Sequence, residues 1–226
     1  MVPPGYNLIW NDEFDGSSLD LTKWSHRSLG PRGLGYVTES SIDVSGGTLK
    51  NIIHVENIDG IDVACSGMIG TQGKFETKYG YFEIRAKLPK IKGPQSAFWL
   101  QSPNYGQVLS DPYSSGMEID IFEYVKISPT KIHFTTHWDG YVAYHKEDYA
   151  GIEYPNIEDD NFHTFGLLWT KDTYEFYVED ILMHTKKGIV SNTEQYIILS
   201  SVRARRGCGS RLQRQRECAR LLRMVA

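Results

Sequence analysis

Gly116-Met117-Glu118-Ile119-Asp120-Ile121-Phe122-Glu123-Tyr124-Val125 is an apolar run, rich in β-branched and aromatic residues, that carries three carboxylates. Such a run reads as a strand, and in a strand side chains two apart share a face. Glu118 and Asp120 therefore stand together, with Ile119 and Ile121 turned toward a core. Glu123 breaks the alternation. At a spacing of five from Glu118 it falls on the apolar face, where an unpaired carboxylate costs several kcal/mol. A β-bulge near Ile121 or Phe122 resolves the conflict, because one extra residue returns Glu123 to the side of Glu118 and Asp120. The two glutamates are then about four strand steps apart, roughly 13 Å between Cα atoms. Side chains leaning together close that gap to the roughly 5 to 5.5 Å that separates the carboxyls of a retaining glycosidase, short of the roughly 6.5 to 9.5 Å of an inverting one. The competing reading is an edge strand whose acids repel other edges.

The same period of two recurs up to about residue 200. In Tyr81-Phe82-Glu83-Ile84-Arg85-Ala86-Lys87-Leu88 the apolar side chains Phe82, Ile84, Ala86 and Leu88 share one face, and Tyr81, Glu83, Arg85 and Lys87 share the other. Lys131 to Trp138, Phe165 to Trp169, Tyr174 to Val178 and Tyr196 to Leu199 read alike. Asp15-Gly16, Gly46-Gly47, Asp59-Gly60, Pro103-Asn104 and Asp139-Gly140 mark turns. Helical spacing is nearly absent before residue 200. Many short antiparallel strands joined by polar turns predict an all-β sandwich, barrel or jelly roll.

The chain has 226 residues, 40% of them hydrophobic, and a net charge of −4. That is the profile of a globular protein with a sizeable core, not of a disordered or collagenous one. No apolar run approaches the roughly 18 residues of a spanning helix, and Met1-Val2-Pro3-Pro4 has no basic segment leading into an apolar one. Cys65, Cys208 and Cys218 lack the spacing of a disulfide scaffold or a zinc cluster.

The mean charge hides a break. Residues 1–200 carry a net −11, whereas the last 26 carry +7 through Arg203, Arg205, Arg206, Arg211, Arg214, Arg216, Arg220 and Arg223, and no aromatic residue follows Tyr196. The expected organisation is one domain over 1–200 and an arginine-rich tail over 201–226. Cys218, Leu221, Leu222 and Val225 have the spacing of one face of a basic helix, either solvated or resting on a membrane or nucleic acid. The abrupt change of composition also suits an out-of-frame translation of GC-rich coding sequence, which ranks first among the three.

Glu118-Ile119-Asp120-Ile121-Phe122-Glu123 resembles the signature of glycoside hydrolase family 16, in the six-residue bulged form of laminarinases and agarases. Trp10-Asn11-Asp12-Glu13-Phe14-Asp15-Gly16 with Trp24 resembles the family's opening strand, and Tyr79 to Pro89 its central one. Phe98-Trp99-Leu100, Lys131 to Trp138 and His163 to Trp169 also fall in family order, so the likeness spans roughly residues 6 to 200. The resemblance implies a β-jelly-roll sandwich of two curved antiparallel sheets with a concave substrate cleft.

Carried over by position, Glu118 is the nucleophile, Asp120 the assisting carboxylate, Glu123 the general acid/base, and His137 the histidine beside them. Trp99 and Trp138 are candidate sugar platforms, the alternative for each being core packing. Arg85 is a candidate cleft residue or a partner of Glu83, while Trp10, Trp24 and Trp169 are expected to pack. His133 and His137 share a face but lie roughly 13 Å apart, too far to grip one metal ion, so no metal site is expected.

Two departures from the family pattern stand out. Gly93-Pro94-Gln95-Ser96-Ala97 lacks a tryptophan that laminarinases often carry, and the arginine-rich tail replaces the final strand. Loss of that strand would expose backbone edges and remove ligands from a structural calcium site.

The implied activity is an endo-acting retaining β-glycan hydrolase, foremost an endo-1,3-β-glucanase, with agarase or another galactan hydrolase as the alternative enzyme. A non-catalytic carbohydrate-binding relative is the alternative outside catalysis. A body at −11 repels sulfated chains and favours a neutral glucan. The expected partner is a polysaccharide, with no nucleic acid and no membrane. The protein is expected to be secreted, monomeric and without a required cofactor.

Overall fold

A computed structural model describes residues 4–90, 94–125, 128, 130–203 and 215–225, with Arg203 and 215–225 described through their backbone. The fold is the all-β sandwich that the alternation predicts. One sheet runs Lys146–Glu153, Lys131–Trp138, Glu118–Val125, Pro94–Gln101, Gln195–Arg203, Met68–Gly70 and Ser25–His26. The other runs Ile181–Lys187, Thr173–Val178, His163–Trp169, Gly80–Lys87, Gln215–Val225, Leu49–Ile58 and Ile61–Ser66, and continues into two short strands.

The core lies between the sheets. Phe82, Ile84, Ala86 and Leu88 enter it from the second sheet, as their period requires, and meet Phe98, Leu100, Ile119, Phe134, Ile197 and Leu199 of the first. Trp24 and Trp169 are fully buried in this core and Trp10 packs against it. With one face of the first sheet turned inward, the alternate residues of its strands face away from the core and build the site. Turn chemistry follows the sequence: Asp59-Gly60 links Leu49–Ile58 to Ile61–Ser66 with φ of 52° and 83°. A two-residue hairpin turn of that kind needs positive φ at both positions, which suits Asp-Gly.

The expectation that the final strand is missing is corrected. The backbone of Gln215–Val225 lies between Gly80–Lys87 on one side and, end to end, Leu49–Ile58 and Leu8–Asp12 on the other. It is a strand, not the helix that the spacing of Cys218, Leu221, Leu222 and Val225 suggests. The physical reason is demand for hydrogen bonds: an empty slot there would leave unpaired edges in the middle of the sheet, and backbone pairing is indifferent to side-chain composition. Residues 204–214, which include Arg205, Arg206, Cys208, Arg211 and Arg214, lie outside the described residues, as do Met1 to Pro3. Among the described residues no helix is long and apolar enough to cross a membrane.

Candidate active site

Ile121 is the residue its neighbours do not match. Against Pro94–Gln101, Phe98 pairs with Phe122 and Trp99 with Asp120; against Lys131–Trp138, Asp120 pairs with Thr135 and Glu123 with His133. The bulge spans Ile121 and Phe122, and both side chains enter the core. Glu123 is thereby returned to the face of Glu118 and Asp120, and the three carboxylates line one cleft of about 520 Å³.

Each carboxylate has its own surroundings. Glu118 Oε2 accepts a hydrogen bond from Gln101 Nε2 at 2.9 Å and another from the Tyr141 hydroxyl. Gln101 is oriented for this, because its Oε1 accepts from Arg27 Nη2 at 2.7 Å and from the Tyr196 hydroxyl at 2.6 Å, which leaves its amide hydrogens for Glu118 and Tyr141. Glu123 accepts from Gln95 Nε2 and, at 3.3 Å, from Thr135 Oγ1. Asp120 is deeply buried, and its Oδ2 lies 3.1 Å from His137 Nε2 without a hydrogen-bonding alignment.

Burial first, then the Asp120 carboxylate, lifts Glu118 to about 8, against the pull of Tyr141 and His137. Asp120 is likewise held well above the usual carboxylate range, by burial and then by Glu123, with Lys186 pulling the other way. Glu118 and Asp120, buried side by side, resist ionising together. Glu118, with two donors on one oxygen, is supported as an anion better than Asp120, whose Oδ2 has no aligned donor among the described residues.

Residues 38–203 match the family Glycosyl hydrolases family 16. The chain belongs to this family. It is 32% identical over 192 residues to a β-glucanase of Rhodothermus marinus, a match covering 80% of this chain and 65% of that protein. It is 27% identical to the glucan endo-1,3-β-glucosidase A1 of Niallia circulans, over 77% of this chain and 28% of that one, so the chain spans less than two thirds of either relative. The catalytic domain of an endo-1,3-β-glucanase (laminarinase) from Thermotoga petrophila RKU-1 superposes with a TM-score of 0.84 at 26% identity, over 98% of each chain.

For this family 16 chain, the remaining expected site residues fall into place unevenly. His137 is the register partner of Glu118 and faces the carboxylates, its Nδ1 lying 2.9 Å from His145 Nε2. Trp99 lines the cleft, but it is 5% exposed, packed with Val37, Met68, Tyr196 and Ile198, and its Nε1 donates to Ser200 Oγ at 3.0 Å. Trp138 is corrected: it belongs to the core, because it follows His137 in a regular strand and so takes the opposite face. Arg85 is corrected as well. It stands on the second sheet, on the side away from the core, with its guanidinium 5.0 Å from the Phe162 ring, because Phe82, Ile84 and Ala86 claim the inner face of that strand.

The sequence reading missed Arg27, Gln95, Gln101 and Tyr141. Gln95 and Gln101 had a signal: they share the period of Trp99, and Gln101 is the register partner of Glu118. Tyr141 had none, since it sits in a loop after the Asp139-Gly140 turn.

Among the described residues, three groups of side chains place possible metal-ligand atoms within 4.8 Å of one another: Glu118, Asp120 and His137; His137, His145 and Glu147; and His54, Glu56 and Cys65. In the last, His54 Nε2 and Glu56 Oε1 already share a hydrogen bond at 2.5 Å. The last-strand residues paired with Leu8–Asp12 are Leu222, Arg223, Met224 and Val225, which bring no carboxylate or amide side chain to the structural calcium that the resemblance implies and leave that strand only backbone carbonyls to offer.

Proposed function

We propose that this protein is an endo-acting β-1,3-glucanase that cleaves with retention of anomeric configuration. Glu118 attacks the anomeric carbon and forms a glycosyl ester as the bond to the leaving oxygen breaks, and Glu123 gives its proton to that oxygen. Glu123, now a carboxylate, takes a proton from water. The water oxygen attacks the same carbon and Glu118 departs as the carboxylate. The Asp120 carboxylate beside Glu118 raises the pH at which the nucleophile ionises.

One observation carries this reading: the bulge at Ile121 and Phe122 turns Glu123 to the side of Glu118, so that an acceptor wired to two donors and a second carboxyl share one cleft. The glucan preference is supported by the names of the relatives and by the acidity of residues 1–200, which disfavours sulfated chains. A galactan is the second substrate class. Its support is the missing cleft tryptophan in the sequence before Phe98, together with a tightly packed Trp99.

A polysaccharide is met outside the cell, so we infer secretion, and we infer action as a single chain. The test is the product ladder and the first-formed anomer, by NMR, from laminarin, mixed-linkage glucan and agarose. Laminarin-derived oligosaccharides of β configuration are expected. A ladder from agarose alone moves the substrate to galactans, and an α-configured first product removes the retaining mechanism.

A further inference from the structure

Resting on the functional reading above, we propose that Tyr141 is a positioning residue for Glu118 and that its open ring face is the sugar platform beside it, the whole held by two interlocked loops. Its hydroxyl donates to Glu118 Oε2 and accepts from Gln101 Nε2, so donors point in sequence from Arg27 through Gln101 and Tyr141 to the carboxylate. Its ring, by contrast, is open: the residue is 59% exposed while lining the cleft. Trp99, the other aromatic lining residue, is nearly covered and cannot offer a face. A pyranose stacks its apolar face on an aromatic ring and leaves its hydroxyls to polar groups. Among the residues that line the cleft, Tyr141 is thus the exposed aromatic ring.

The placement is built, not incidental. Asp139 and Gly140 turn the chain with φ of 64° and 79°, and Gly106 faces Gly140 so closely that a Cβ on Gly106 would lie 2.8 Å from Gly140 Cα. Tyr105 donates to Gly140 O at 3.1 Å and sets its ring 4.8 Å from that of Tyr141. Ser110 N donates to Asp139 Oδ1 at 2.8 Å, and Lys146 binds Asp139 Oδ2 at 2.7 Å. Both loops are therefore pinned to each other before substrate arrives, which is what orienting a nucleophile requires.

The test uses the full chain with laminarin and its oligosaccharides, comparing wild type, Tyr141→Phe and Tyr141→Ala across pH. The groups that face Glu118 are Asp120 and Glu123 on its own strand, His137 from the next strand, Tyr105 and Tyr141 from the loops, and Tyr196 with Arg27 behind Gln101. Of these only the Tyr141 hydroxyl changes in Tyr141→Phe. That variant is expected to keep KM within about twofold, lose about tenfold in kcat, and move the acid limb of kcat/KM to higher pH, because a donor favouring ionised Glu118 is gone. Tyr141→Ala is expected to add a rise in KM of about fivefold or more. Wild-type kcat and limb in Tyr141→Phe overturn the positioning role; a KM in Tyr141→Ala equal to that of Tyr141→Phe overturns the platform. If wild type cleaves no β-1,3-glucan, the functional reading fails by itself. The Glu118 carboxyl titration, followed by carbon-13 NMR, then decides the positioning role: an upward shift in Tyr141→Phe supports it and an unchanged midpoint overturns it.

Discussion

Asp120 and His137 meet across adjacent strands, Oδ2 to Nε2 at 3.1 Å, and among the described residues no hydrogen-bond donor is aligned on that buried oxygen. The carboxyl is the second largest reason, after burial, that Glu118 holds its proton up to about 8. Asp120→Asn keeps the shape and removes the like charge. Glu118 then ionises more readily, so the acid limb of kcat/KM moves to lower pH; a limb that stays in place or moves up contradicts the assignment.

Glu123 is assigned the proton donated to the leaving oxygen. Glu123→Ala is expected to lower polysaccharide turnover by about 10²- to 10⁴-fold, and to lower the cleavage of aryl glycosides with acidic leaving phenols much less, since those depart without a proton. Steady-state rates on both substrate types check this. Equal losses on both would place Glu123 outside acid catalysis.

Holding Glu118 neutral to about 8 also has a cost in stability. Its folded value lies above its unfolded value of 4.5, so the folded state binds the extra proton between those limits. Stability is therefore fully present below about pH 4.5 and is lost as pH rises through 8. Glu118→Gln escapes this loss. Its unfolding free energy, from denaturant titration, is expected to match wild type near pH 4.5 and exceed it above pH 8 by on the order of a few kcal/mol. A gap that is constant with pH contradicts the prediction.

Gly116, just before the carboxylate strand, has φ of 78°, and a Cβ there would overlap Ser102 and come within 2.5 Å of Thr193 Oγ1. Gly116→Ala is expected to destabilise the fold by roughly 3 kcal/mol or more, through backbone strain and overpacking together. Denaturant titration measures it; a change below about 1 kcal/mol would show that the turn relaxes freely.

How much the sequence discloses depends on how local the constraint is. The bulge is readable because Glu123 conflicts with its own strand, a conflict that needs no knowledge of neighbours. The fate of Trp138 was readable in principle, since His137 and Trp138 are adjacent and cannot both face the cleft. Arg85 was not, because alternation gives two faces without saying which sheet the strand joins. Tyr141 is held at Glu118 by a loop pinned at Tyr105, Gly106 and Ser110, residues well separated from it in the chain. The tail misleads for a related reason: helical spacing in Cys218 to Val225 is a local signal, whereas the pull into the sheet comes from the open edges of Gly80–Lys87 and Leu49–Ile58.

Glu118 as nucleophile is tested most directly by incubating the protein with a fluorinated laminari-oligosaccharide bearing an activated leaving group, which forms the glycosyl ester but slows its hydrolysis, and then mapping the modified peptide by mass spectrometry. The expected result is one added glycosyl mass on Glu118, absent from Glu118→Ala, whose kcat falls by about a thousandfold or more. A stable adduct on Glu123, or rapid turnover with inversion and no adduct, would contradict the account.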